Sequence, residues 1–284
     1  SRRVSSTIMA AQTQTIGDIE VTALSDGVLT TSLDVVLGMD PAEKERLAGI
    51  KATDPVPISV NAFLLKRGKK YGLIDAGSGN TMGPTLGKLP ENLRALGVAP
   101  EQIDTIFLTH LHPDHANGLV DAAGRPHFPN AELILHATEA GFWLDRDVAT
   151  APNDRIRRNI VNTRTSTGPY RARLRTVADG EAAPGISAVL MPGHTPGHTG
   201  WLIQSGNDGL LVWGDLVHLA AVQVARPDTG LVYDVDPQTA CATRKRMFDR
   251  VAADKLKVAG AHLDFPGFGT IARKGTEFRF EADA

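Results

Sequence analysis

Six consecutive residues, HLHPDH from His110 to His115, hold three of the chain's nine histidines and an aspartate. They follow the apolar run Ile106, Phe107, Leu108, which reads as a strand. Alternate side chains of an extended chain point the same way, so His110 and His112 converge on one position. Pro113 favours the first turn of a helix, where Asp114 and His115 face a second position a few ångströms away. Imidazole and carboxylate suit Zn2+, with Mn2+, Co2+ or Fe2+ also possible, and a ligand set without cysteine disfavours a purely structural thiolate site. Two such ions would support hydrolysis, because water shared by two dications has its pKa lowered to about 7 or below and yields a metal-bound hydroxide.

Three further ligand candidates each follow an apolar run: His194 after Ile186 to Met191, Asp215 after Leu210 to Trp213, and His262 after Val258 to Ala261. A single histidine at a strand end is more often structural. Four ligand groups at four strand ends fit one site at the carboxyl edge of sheets. The other histidines read differently. His198 in GHTPGH fits a hydrogen bond to backbone that holds its loop, and His127 and His136 belong to no constellation.

HLHPDH, GHTPGH, the Gly214-Asp215 pair and the late Ala261-His262 pair together resemble the metallo-β-lactamase superfamily signature, in the same order along the chain. Within it, VTALSDG, GPTLGKL, HPDHANGL, FPNAE, GHTPGHT, GDLVHLAAVQ and AHLDFPGFG resemble the methyl parathion hydrolase-like lactonases and organophosphate hydrolases. The resemblance implies an α/β fold, an αββα sandwich of two mixed sheets flanked by helices. It also implies a binuclear zinc-type centre and a homodimer. In such a centre His110, His112 and His194 hold one ion, Asp114, His115 and His262 the other, and Asp215 bridges them.

The implied reaction is cleavage of lactones or aryl esters, with phosphotriester hydrolysis as a side activity. The alternatives are an organophosphate hydrolase proper and a glyoxalase II-like thioesterase. Asp114 is a ligand and a candidate acceptor of the attacking water's proton. His218 stands three residues after Asp215, where related acyl-homoserine lactonases carry a tyrosine. It is a candidate to stabilise the substrate oxygen or to protonate the leaving alkoxide. The corresponding pocket stretches offer Met82, Trp143, His218, Leu231 and Tyr233. A polar His218 favours a lactone over a neutral aryl phosphotriester. The glycine-rich DAGSGNTMG from Asp75 to Gly83 lacks the Gly-Lys-Ser/Thr ending of a phosphate loop, and Asp75 is expected to support a ligand from behind.

Strands that could position these residues are expected at Ile19 to Leu24, Ile58 to Lys66, Tyr71 to Asp75, Thr105 to Thr109, Glu132 to His136, Ile186 to Met191, Trp201 to Gln204, Leu210 to Trp213 and Val258 to Ala261. Helices are expected over Glu91 to Leu96, Asp114 to Ala122, Thr138 to Arg146 and Asn153 to Val161. The clearest has Asp236 as N-cap and Pro237 in its first turn, runs to about Ala253, and buries Ala240, Cys241, Met247, Phe248 and Val251. Two batches of strands with surrounding helices fit two packed sheets.

The 284 residues are 42% hydrophobic and 22% charged, an ordinary globular composition. Residues 16–284 read as one domain after a flexible tail of residues 1–15. A net charge of −2 gives no global reason to bind nucleic acid or an anionic membrane. The seven arginines from Arg155 to Arg175 lack the interleaved aromatics of a nucleic-acid surface. A small ester or lactone is the expected partner. The lone Cys241 cannot form an intrachain disulfide, and no run of about 18 apolar residues marks a membrane span. The first fifteen residues lack a signal peptide's apolar core, which fits either a periplasmic or secreted protein after leader removal or a cytoplasmic one.

Overall fold

The computed structural model describes residues 12–283, so most of the expected tail, residues 1–11, lies outside the described residues. Thr13 to Thr15, read from sequence as tail, belong to a paired strand. The first sheet contains β1 (Thr13–Ile16), β2 (Ile19–Ser32), β3 (Pro55–Arg67), β4 (Lys70–Ile74), β5 (Ile103–Phe107), β6 (Glu132–His136) and β7 (Leu174–Val177), in sequence order across the sheet. The second contains β8 (Gly180–Ala183), β9 (Ile186–Leu190), β10 (Thr199–Ser205), β11 (Asp208–Val212), β12 (Lys257–Ala259), β13 (Phe268–Lys274) and β14 (Glu277–Ala282), also in sequence order. Strands β4 to β7 run parallel, as do β11 and β12, and the remaining pairs are antiparallel.

Successive side chains explain the layering. Phe63, Ile74, Phe107, Trp201 and Val212 point between the sheets and form the central core. Their neighbours Leu64, Leu73 and Ile106 point outward, under α2 (Leu89–Ala95), α4 (Ala137–Trp143) and α5 (Asp154–Thr167). On the other side, Leu202 and Leu211 meet Met247, Phe248 and Val251 of α7 (Pro237–Asp254). Both faces of the central strands are therefore covered, which is why their sequences are nearly continuous apolar runs. The αββα sandwich is as expected.

Strands β1, β7, β8, β13 and β14 escaped the sequence reading. Four of them are sheet edges and the fifth lies next to one. The expected helix from Asp114 to Ala122 is broken: α3 (Pro113–Ala116) gives way to a 3-10 turn at Asn117–Leu119. There Gly118 donates its N–H to Gly77 O at 2.8 Å, which joins the turn to the loop after β4. A Cβ on Gly118 would lie 1.9 Å from Ala76 O, so only glycine permits this approach. Helix α5 continues past the expected end to Thr167 and is capped by Asn153, whose side chain accepts from Ile156 N. Helix α1 (Pro41–Ala48) and the short α6 (Ala220–Gln223) were not foreseen. Asp236 caps α7 as expected, but Cys241 is half-buried on its flank, with the fully buried Arg244 one turn on taking the inward position.

Candidate metal centre

The loops that leave β4, β5, β9, β11 and β12 meet at one end of the sandwich. His110, His112 and His194 lie together as one possible donor group, Asp114, His115, Asp215 and His262 as a second, and His218 joins His194 and Asp215 in a third. Asp215 joins the first two. Its Oδ1 lies 3.0 Å from His115 Nε2, while its Oδ2 lies 3.2 Å from both His194 Nε2 and His262 Nε2 and 3.4 Å from His110 Nε2. Donors bound at about 2.0–2.2 Å with near-tetrahedral angles stand roughly 3.3–3.5 Å apart, so these spacings fit shared cations. The buried His110 Nε2, His115 Nε2 and Asp215 Oδ1 have no hydrogen-bond partner among the described residues. Divalent cations are the partners that such clustered imidazole and carboxylate atoms fit.

Four of the five imidazoles are held from behind. Asp75 lies 2.7 Å from His115 Nδ1 and also accepts from Thr109 N at 2.8 Å and Thr109 Oγ1 at 2.9 Å. Its backbone is left-handed, with φ of 64°, which turns the carboxylate under the centre. Asp234 lies 2.9 Å from His194 Nδ1, Thr109 Oγ1 lies 2.9 Å from His110 Nδ1, and Ser59 O lies 2.8 Å from His262 Nδ1. His112 instead presents Nδ1 to the cluster, 3.0 Å from His194 Nε2. Such partners fix ring orientation and raise ligand basicity.

His198 is in the neutral, loop-holding role: its Nδ1 bonds Met191 O at 3.0 Å and its Nε2 accepts from Asp215 N at 2.9 Å. Burial pushes its pKa down to about 3. His136 caps α4, accepting from Thr138 N, and meets Asp179 at 3.0 Å. Half-buried His127 stacks edge-on against Phe128, away from the centre.

The electrostatics of the metal-free cluster are divided. Burial lowers His115, yet Asp114, Asp215 and Asp75 outweigh it and hold the imidazole well above its usual range. His194 is likewise lifted to about 9, where burial is overcome by Asp215 and Asp234, and His262 to about 10, where it is overcome by Asp215 and Asp114. Burial, reinforced by His115 beside His110 and by His194 beside His112, holds these two rings well below the usual range.

A cavity of about 220 Å³ opens over these ligands. His218, Tyr233 and Met82 line it, together with Leu29, Arg155 and Asn159. His218 Nε2 stands 3.2 Å from Asp215 Oδ2, and its ring stacks on His262 at 4.9 Å. Trp143 and Leu231 do not reach the cavity. Trp143 is fully buried behind His112 and donates to Glu139, and Leu231 packs in a separate apolar cluster with Val36 and Ile58. Their aromatic and aliphatic character, legible in sequence, serves packing instead of the pocket wall.

The sequence reading also missed Asp234, Glu139, Arg155 and Asn159. Buried Glu139 on α4 accepts from Leu111 N at 3.0 Å, Gly197 N at 3.1 Å, Thr195 Oγ1 at 2.7 Å and Trp143 Nε1 at 3.0 Å, and so ties HLHPDH to GHTPGH. No periodicity marks it. Asp234 adjoins Tyr233 of the expected pocket stretch, and that adjacency is the one sequence signal by which it could have been found.

The Metallo-beta-lactamase superfamily profile matches residues 55–262. The structure of hydrolase AbOPH in the beta lactamase superfamily superposes with a TM-score of 0.90 at 33% identity, covering 96% of this chain and 97% of that one. AidC, a dizinc quorum-quenching lactonase solved with a homoserine product, gives 0.89 at 27% identity, with the same coverages. An N-acyl homoserine lactonase of Bacillus cereus is 28% identical over 123 residues, which are 42% of this chain and 40% of that relative's length. With the ligand groups, the sandwich and the profile in agreement over most of its length, the chain belongs to the metallo-β-lactamase superfamily.

Proposed function

We propose that the protein is a binuclear-metal hydrolase that opens lactones or cleaves aryl esters, with phosphotriesters as lesser substrates. The observation that carries this reading is Asp215, whose two oxygens face both donor groups at the floor of an open cavity. Two zinc ions, or first-row substitutes, held by His110, His112 and His194 and by Asp114, His115 and His262 with Asp215 between them, would polarise the scissile oxygen and acidify the attacking water.

The protein's own groups do the rest. Asp114 lines the cavity and keeps contact with His115 Nε2 at 3.2 Å and His262 Nε2 at 3.3 Å, which supports its carboxylate as the acceptor of the water's proton. Burial works to raise its pKa, but His115 and His262 hold it well below the usual carboxylate range. His218 lines the same cavity, and burial brings it down to about 4 despite Asp215. A neutral imidazole there donates a hydrogen bond to the substrate oxygen and is not a proton source at neutral pH, which favours the first of its two expected roles. Leu29 and Met82 supply an apolar wall. AidC, which shares the fold over nearly its whole length, is described as a lactonase, and this supports the lactone reading.

The test is kcat/KM on matched aryl lactones, acyl-homoserine lactones and dialkyl aryl phosphates, with Zn-, Mn- and Co-reconstituted protein. Lactones are expected to lead phosphotriesters by about a hundredfold, roughly 2.7 kcal/mol of transition-state preference. A lead of that size for phosphotriesters would make the protein an organophosphate hydrolase and leave His218 as pocket lining.

A further inference from the structure

Arg155 is the one lysine or arginine among the residues lining the metal cavity. It stands in the first turn of α5, with Asn159 one turn further on the same face and lining the same cavity. Its guanidinium is held in place: Nη1 donates to Val232 O at 2.6 Å, and the group lies 5.5 Å over the ring of Tyr233. Tyr233 is fixed in turn by its hydroxyl, 2.5 Å from Thr31 Oγ1, and its ring centre is 5.8 Å from that of His218. His218, Tyr233 and Arg155 thus form a series of contacts that leads from Asp215 to the exposed Arg155.

Four of the six other arginines between 155 and 175 are committed elsewhere. Arg157 pairs with Asp154 and Arg175 with Glu132, while Arg164 donates to Arg146 O and Arg173 to Pro129 O. Arg155 has no carboxylate within ion-pair distance among the described residues. One of its five N–H groups is used by Val232 O, and the others remain for a ligand. A guanidinium oriented in this way recognises carboxylate and amide oxygens, and holding it beforehand lowers the entropy lost on binding.

We propose that Arg155, with Asn159 beside it, reads an oxygen acceptor that the substrate carries away from its scissile bond, so that the preferred esters or lactones bear an amide or carboxylate substituent. This rests on the hydrolase reading above and deepens it. Two ring contacts separate Arg155 from His218, so the guanidinium meets the substituent and not the leaving oxygen. Arg155 is a specificity-determining residue in this assignment, and no step of bond cleavage passes through it.

The experiment compares three lactones of equal chain length whose side chain carries an amide, a carboxylate or only methylenes, with wild type, Arg155→Ala and Arg155→Lys at equal metal content. In the wild type the better acceptor-bearing lactone is expected to exceed the alkyl lactone about 10- to 100-fold in kcat/KM, mainly through KM. In Arg155→Ala that ratio should collapse towards one, and Arg155→Lys should restore only part of it because an ammonium lacks the planar fork. A carboxylate lead that fades with salt assigns charge recognition, and a salt-insensitive amide lead assigns hydrogen bonding; either supports the role. A wild-type ratio near one, or a ratio that survives Arg155→Ala, overturns it. Calorimetric binding of the three ring-opened hydroxy acids tests the same ratio without turnover. If no lactone is cleaved, the lactone reading fails, while equal binding of the three acids by wild type and Arg155→Ala refutes the role of Arg155.

Discussion

At the scale of single residues, the centre depends on groups that never face the substrate. Asp75 is the acceptor behind His115 and is anchored by both donors of Thr109. Asp75→Asn keeps the shape but weakens the acceptor, and the expected result is a loss of about 10- to 100-fold in metal affinity, read by chelator competition. The charge state of the metal-free rings gives a second expectation. His194, lifted to about 9, and His262, lifted to about 10, are protonated at pH 7 without metal. Ligation requires neutral imidazole, so each of these rings, and His115 with them, must release a proton, and apparent affinity should climb from pH 7 towards 10. Calorimetry in two buffers of different ionisation enthalpy would count the protons; a pH-independent affinity would refute the assignment.

At the scale of elements, loops from both sheets have to be locked together. Glu139 does this with four donors drawn from α4, the HLHPDH segment and the GHTPGH loop. Burial pushes its carboxyl above the usual range in spite of those bonds. Removing it in Glu139→Ala leaves buried donors without partners, a loss of about 3 kcal/mol in denaturant unfolding. Gly118→Ala tests a steric junction instead, since the new Cβ would fall 1.9 Å from Ala76 O. We expect about 1–3 kcal/mol of destabilisation together with weaker metal binding, because the displaced loop carries Asp75. Unchanged metal affinity in a folded Gly118→Ala protein would show that the loop relaxes without moving the carboxylate. The same glycine explains why a helix read through to Ala122 stops at Ala116: a contact with a loop some 40 residues earlier replaces the next helical turn.

At the scale of the whole molecule, the cluster lies where the two sheets meet, so metal should hold them together. Chelation is expected to lower Tm by about 10 °C, as follows from mass action at ligand concentrations far above Kd and the heat of unfolding of a chain this long. Differential scanning fluorimetry with and without chelator checks it, and an unchanged Tm would mean that the sheets dock independently of the centre. The sequence by itself determined the seven ligand candidates and the αββα layering. Both are written locally: a ligand follows an apolar run, and strands covered on two faces are apolar throughout. It did not determine which carboxylate stands behind which imidazole, that Trp143 and Leu231 are packed away, or that Arg155 reaches the cavity. Those were decided by tertiary packing, which brings Asp75 to His115, Asp234 to His194 and α5 to Tyr233 across distant stretches of chain. Contacts of that kind leave no period or spacing in the sequence, because only the docking of the two sheets and their helices makes those residues neighbours.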